Sequence, residues 1–389
     1  MLRILLLQTL AAGHIYSRFG LALQRELTEL GHEAVICDLS GYASDPAAAP
    51  VKLAAEMERT VFDAAVSFSS FYSAASLPDG GLLFDALGVK FVGWQLDHPI
   101  YARQSLAPPL QERCAIYAQP SHMRYAAAAG VTGKAVVMLP GADQPTHEPR
   151  PHAEREWPVF VAATFNGEPR LPWEDFEDGP TKRLLRETLA RLMDAREPSV
   201  ISAFEEAVAR LKLDMRLGRS AELDEVLRKF FCEALTYVRH LDRLRTIRAV
   251  AESGARLTIC GDGWEDVLGR RENVTYVGSV QFSELPELYG NARVVLNLNG
   301  ANGACERAIQ GAAAGAAVVS DQSSSLDQLL GGGDGVAFFN RTKPATAAHV
   351  VSRLLGGEAE RMGARARQKV LQSGLWRHRA AQLAALIQA

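Results

Sequence analysis

Residues 257–321 read LTICGDGWEDVLGRRENVTYVGSVQFSELPELYGNARVVLNLNGANGACERAIQGAAAGAAVVSD, and that rhythm leaves few folds open. Short apolar runs end in glycine-rich turns, and each turn leads into a short helical pattern. Strands apolar on both faces and joined by helices build a parallel sheet covered on both sides. The polar residues collect at the turns after the strands, the edge where such sheets hold ligands. This placement favours a nucleotide-using enzyme over a globular domain without a site.

The same alternation fills the N-terminal portion. Residues 3–8 form an apolar strand, and Gly13 and His14 stand in the turn after it. Leu21, Leu23, Leu27 and Leu30 then recur with helical spacing until Gly31 ends the helix. Further strands are expected at 34–37, 63–68, 89–96, 115–118 and 135–139. Residues 144–157, QPTHEPRPHAEREW, carry Pro, His and charge without an apolar period and read as a linker. A second series starts with a strand at 158–163 and resumes with strands at 255–260, 273–277, 294–298, 317–320 and 336–339. Between them, 170–250 reads as a helical insertion, clearest at 205–213 and 221–250, the latter as one helix or two. A chain of 389 residues exceeds one core. The expected division is therefore 1–143, a linker at 144–157, and 158–374, with a final helix at 375–389 packing back toward the first domain.

Charge and cysteine usage remove other classes. A net charge of -3 with 22% charged residues gives no electrostatic footprint for nucleic acid. Cys37, Cys114, Cys232, Cys260 and Cys305 are scattered, odd in number and without a CxxC pair. Free thiols in a reducing, cytoplasmic compartment are expected. The opening MLRILLLQTLAAG is followed by a good helix and strand, so it reads as a first β-strand and not as a signal peptide. No apolar segment is long and clean enough to span a bilayer. HExxH, a clustered Cys/His set and GxxxxGK[ST] are all missing from the sequence, so neither a metal nor a P-loop is called for.

Read together, the C-terminal motifs resemble the GT-B glycosyltransferase superfamily, nearest to its CgeB-like, spore-maturation type. The resemblance rests on Gly261-Asp262-Gly263-Trp264, on Val274 through Gly278 to Val280, and on Glu284-Leu285-Pro286-Glu287-Leu288-Tyr289. It continues through the strand at 294–299, Gly303 to Arg307, and the small-residue helix ending at Asp321. It implies an α/β GT-B fold, two Rossmann-like parallel-sheet domains facing across a cleft. It also implies transfer of a sugar from a nucleotide-sugar donor, UDP-linked by expectation, to an acceptor hydroxyl of unassigned identity. Retention of configuration is the favoured outcome, with no cofactor required. A sugar-nucleotide-binding or scaffold protein without turnover, and a sugar-nucleotide epimerase of the same build, are the alternatives. No feature of the sequence specifies an oligomeric state.

Candidate residues follow from chemistry and position. Gly261 and Gly263 permit a tight turn and close approach of a phosphate or ribose to main-chain N–H groups, while Trp264 stacks on the ligand or packs. Gly278 and Ser279 offer main-chain contacts to the base. Asn299, Asn302, Gly303 and Ala304 lie on the loop into a helix whose N-terminus suits a diphosphate. Glu306 can accept from ribose hydroxyls and Arg307 can neutralise phosphate, against the plainer reading of a solvated ion pair. Gln310 shares a helical face with Glu306. The larger retaining group carries two glutamates eight residues apart; matching Gly315 to that phrase puts Asn302 and Gln310 at those places. Asp321 caps the next helix or touches the donor. Arg170 is expected to add positive charge to the donor pocket. In the N-terminal domain, the resemblance implies that the loop of Gly13 and His14 borders the donor phosphates and acceptor, with His14 a phosphate contact or a catalytic base, against the plainer reading of a surface histidine. Asp97 and His98 leave the strand that ends in DHP. The resemblance implies a contact of His98 with the transferred sugar; Asp97 orients that imidazole, or serves as base if the enzyme inverts, against the plainer reading of a loop cap.

Overall fold

The computed structural model describes residues 1–11, 13–42, 48–106, 108–171, 173–174, 176–300 and 305–389. They divide into one unit of Met1–Asp143 with Gly374–Ala389 and a second of Gln144–Ser373. Among the described residues, no helix is long and apolar enough to cross a membrane.

The first unit is a six-stranded parallel sheet in the order β2-β1-β3-β4-β5-β6. Its strands are β1 (Arg3–Gln8), β2 (Glu33–Asp38), β3 (Ala64–Phe68), β4 (Lys90–Gln95), β5 (Arg113–Tyr117) and β6 (Lys134–Val137). Every residue of β3 and β5 is buried, as strands covered on both faces must be. The chain returns at its end to complete this unit. Helix Trp376–Gln388 lays Trp376 against Phe19 at 4.7 Å and Trp94 at 5.8 Å between ring centroids. Gly141 admits that approach, since a Cβ there would lie 2.6 Å from the Trp376 backbone nitrogen.

The second unit is another six-stranded sheet, in the order β12-β11-β10-β7-β8-β9. Its strands are β7 (Trp157–Ala162), β8 (Leu257–Cys260), β9 (Val274–Gly278), β10 (Ala292–Asn297), β11 (Ala317–Asp321) and β12 (Val336–Phe339). All its pairings are parallel. Ile247 and Val250 of one long helix, Ala221–Glu252, join Val159, Ile259, Val294 and Val319 in the main core. The helical insertion also contains Pro180–Asp194, which starts with proline where its missing N–H costs nothing. The stretch 144–157, read as a linker, is fastened to this unit. Arg155 is 3% exposed and donates to the Ala292 and Ala314 carbonyls at 2.8 and 3.1 Å. A proline-rich, charged sequence hides this because one buried guanidinium has no periodic signature.

Candidate active site

In the second sheet the chain leaves β7 outward through β8 and β9, then returns to pair β10 with the other side of β7. The carboxyl ends of β7 and β10 thus form a topological switch point, where neighbouring loops diverge and leave a crevice. Arg307, at the start of helix Glu306–Ala313, donates from Nη1 to the Ala162 carbonyl at the end of β7, at 2.6 Å. Its Nε donates to Cys305 Sγ at 3.3 Å, and Glu306 Oε1 lies 3.8 Å away. Cys305 Sγ–H in turn donates to Asn297 Oδ1 at 2.9 Å, and Asn297 Nδ2 donates to Ser320 Oγ at 2.9 Å. Cys305 at the N-cap makes no regular side-chain cap bond, though its sulfur feels the Arg307 main-chain N–H, so among the described residues the first turn of that helix lacks the usual oxygen cap.

Two further arginines come from the long helix. Arg243, 9% exposed, reaches the Leu298 carbonyl after β10 at 3.4 Å. Burial, and then the charges of Arg307 and Arg239, push its guanidinium down to about 9. Arg239 Nε is buried with no hydrogen-bond partner among the described residues. The spacing of Arg239 and Arg243 puts both on one helical face, a readable signal. The loops they meet belong to distant strands, and nothing near them in sequence marks those loops.

Behind this cationic group lies a buried carboxylate. Asp321 accepts from the Gly300 and Asn299 main-chain N–H groups at 2.5 and 3.4 Å. It therefore fixes the loop after β10 and does not cap the following helix, whose cap is Ser323. Burial, then the Asp242 charge, raise the Asp321 carboxyl to about 6, against the lowering effect of those N–H donors and Arg341. Arg341 ties the loop after β12 to the long helix through Asp242 at 2.6 Å, and to the Ala195 carbonyl at 2.6 Å.

Gly261, Gly263, Trp264 and Ser279 serve the fold. Gly261 has φ +132°, and a Cβ on it would lie 2.3 Å from the Ala163 carbonyl oxygen. The close approach it permits is thus to the protein's own backbone, where a phosphate or ribose was expected. Gly263 is also left-handed, with the Phe165 carbonyl 3.0 Å from its Cβ position. Trp264 is 1% exposed and donates from its indole nitrogen to Ala163 O at 2.6 Å, so it packs and cannot stack on an exposed ligand. Ser279 spends its N–H and hydroxyl on Asp262 at 3.1 and 2.5 Å, and Gly278 precedes it with φ +72°. Gln310 is 7% exposed, Glu306 is half-buried, and Arg170 is exposed on the loop after β7. Asn299 is buried at the end of β10, whereas Asn302, Gly303 and Ala304 lie outside the described residues.

The first sheet has its own switch point, between β1 and β3. Tyr16, in the first turn of helix Ile15–Glu29, donates its hydroxyl to Asp97 Oδ2 at 3.3 Å and accepts from Ser69 Oγ at 3.1 Å. Ser69, Ser70 and Tyr72 all have φ near +60°, an expensive conformation that clusters at sites. Gly93 makes room for this turn: a Cβ there would meet Ser70 Oγ at 2.0 Å. His14 caps the helix, its Nδ1 accepting from Tyr16 N at 3.2 Å, and Gly13 is exposed beside it. Asp97 is exposed. His98 is not: it is 3% exposed, accepts at Nδ1 from Ile100 N at 3.2 Å, and lies edge-on to His122 and Tyr125. Burial and His122 hold it well below the usual imidazole range. The proline after it starts a 3-10 turn that carries the ring inward, correcting its expected position at the open edge. Tyr16 and Ser69 escape a sequence reading because nothing marks one aromatic or serine among many as reaching across strands.

Residues 239–385 match the model of a family described as Glycosyl transferase-like. No curated protein matches the chain. The solved sucrose-phosphate synthase of Thermosynechococcus elongatus superposes with a TM-score of 0.58 at 11% identity, covering 100% of this chain and 98% of that one. A glycosyltransferase from Rickettsia africae ESF-5 gives 0.59 at 10% identity, covering 100% and 98%. Anabaena Alr3699/HepE, solved in complex with UDP-glucose, gives 0.57 at 11% identity, covering 100% of both chains. Identities this low speak for fold alone. The protein has the two-sheet α/β fold of the GT-B glycosyltransferases, and its residues 239–385 are similar to the Glycosyl transferase-like family.

Proposed function

We propose that the protein transfers a sugar from a nucleoside diphosphate sugar to an acceptor hydroxyl, and that the second unit holds the donor. The observation that carries this reading is the meeting of Arg243 and Arg307 at the β7–β10 switch point, with the Arg239 charge close enough to act on Arg243. Like charges brought together out of water repel unless an anion joins them. A diphosphate set between these guanidiniums and the start of helix Glu306–Ala313 supplies that anion. Glu306 then accepts from the ribose hydroxyls. UDP is the proposed nucleotide, in line with the UDP-glucose bound to Alr3699/HepE. The motif resemblance points further, to the CgeB-like type, and the scattered free cysteines to a cytoplasmic setting.

In the reaction, the bond from the anomeric carbon to the diphosphate oxygen breaks and a bond to the acceptor oxygen forms. The arginines stabilise the charge that grows on the leaving diphosphate, so no metal is needed for that step. The resemblance favours retention. The departing phosphate oxygen then takes the acceptor proton on the same face, and in the first unit Asp97, held by Tyr16, is the proposed contact for the acceptor. His98 is too buried and too weakly basic to be that base.

Calorimetry with UDP, and UDP release from UDP-glucose with and without trial acceptors in EDTA, test the reading. Wild-type protein is expected to bind UDP and release it without added metal. Arg243→Gln is expected to weaken UDP by about 10- to 100-fold, the worth of a charge-assisted contact. Unchanged UDP affinity in a folded R243Q protein would overturn the proposal.

A further inference from the structure

The amino-terminal edge of the second sheet, opposite the switch point, carries a separate groove. Its floor is built from two guanidiniums that cap the last carbonyls of helix Glu306–Ala313. Arg155 donates to Ala314 O, and Arg367, on helix Ala359–Ser373, donates to Ala313 O at 2.7 Å. Gly315 at φ +76° completes the floor, because a Cβ there would come within 3.1 Å of Arg155 Nη2. Between residues 148–152 and helix Ala359–Ser373 lies an open volume of about 540 Å³. That is ample for a small metabolite.

More cations than carboxylates line this volume, although Arg150 also lies 3.9 Å from Glu156 outside it. Arg150, Arg155 and Arg367 face Glu148 and Glu360. Glu148 is 92% exposed and reaches Arg367 only at 3.4 Å, so it swings away at little cost. His152 also lines the groove, and its Nε2 is buried without a partner among the described residues. Burial, and then the charges of Arg155 and Arg293, hold its imidazole below the usual range, against Glu360. Pro149, Pro151 and Leu371 supply an apolar side to the same volume.

We propose that this groove is a second anion site, which takes a phosphorylated small molecule. Its phosphate sits among Arg150, Arg155 and Arg367 with the His152 ring beside it, while its carbon skeleton lies on Pro149, Pro151 and Leu371. The site stands at the other end of helix Glu306–Ala313 from the proposed donor and does not depend on that assignment.

Titration of the histidine imidazoles by NMR, with pyrophosphate as the probe, tests it, His152 being assigned by comparison with His152→Gln. Pyrophosphate is expected to shift the His152 resonances and raise that imidazole's pKa, as an arriving anion must. Arg150→Gln, at an exposed residue that leaves the floor intact, is expected to weaken the response by about tenfold. In Arg243→Gln protein, weakened at the switch point, the His152 response is expected to persist. His152 signals that do not move at millimolar pyrophosphate in folded protein would sink the proposal. So would a response lost in R243Q and untouched by R150Q, which would mean a single site at the switch point. Failure to turn over any nucleotide sugar would count against the proposed transferase and leave the His152 result standing.

Discussion

At the residue scale the sharpest contrast is between Asp97 and His98, adjacent in the chain and opposite in fate. Asp97 is exposed and held by Tyr16, whereas His98 is buried and uncharged at neutral pH. Asp97→Asn separates two stereochemical routes. If the leaving phosphate takes the proton, the amide still orients the acceptor and kcat is expected to fall by about tenfold or less. If Asp97 is the base, the loss is expected to be about 10²- to 10⁴-fold. Turnover of the variant, with the anomeric configuration of the product read by NMR, decides between them. Asp321 provides a pH test. It holds its proton to about pH 6 in the folded protein, against about 3.9 for an unfolded chain. Between those values the folded state binds the extra proton, so stability falls as pH rises through that window, by about 3 kcal/mol. Asp321→Asn is expected to flatten this fall, measured as the change in denaturant midpoint of the second unit between pH 4 and 7. An unchanged pH slope in the variant would refute the assignment.

At the scale of elements, the turn after β8 shows what a glycine motif can and cannot tell. The letters GDGW mark a strand end, and the strand ends there, at Cys260. They do not say what comes close to the glycine. Here it is Ala163, the residue after β7, whose carbonyl also receives the Trp264 indole N–H. Gly261→Ala would set a Cβ against that carbonyl in a conformation L-residues avoid. It is expected to destabilise the second unit by roughly 3 kcal/mol or more, read by urea unfolding. The strands β8, β10 and β11 were legible because each is an apolar run too short for a helix and bounded by turn residues. The long helix was legible as a helix, but not its arginines at the switch point. Which face meets which loop depends on strand order, and strand order is non-local. The inward turn of His98 was hidden for the same reason, since the residues that bury it, His122 and Tyr125, belong to the helix after β5.

At the scale of the whole molecule, the first unit is discontinuous in sequence. Its sheet is laid down by the first 143 residues, yet a rim of aromatic surface around Phe19 and Trp94 waits for Trp376 from the far end of the chain. Trp376 is 1% exposed, and its removal leaves a cavity in that unit alone. Truncating a buried indole costs about 3–5 kcal/mol. The second unit keeps its own core of Val159, Ile259, Val294 and Val319, to which Trp376 contributes nothing. Trp376→Ala is therefore expected to lower the melting transition of the first unit and to spare that of the second. Calorimetry with and without UDP tells the transitions apart, because a ligand raises the transition of the unit that binds it. The expected trace has one transition that is UDP-sensitive and unmoved by W376A, and another that is UDP-insensitive and shifted down. If UDP and W376A act on the same transition, either the nucleotide is not held by the second unit or the two units unfold as one.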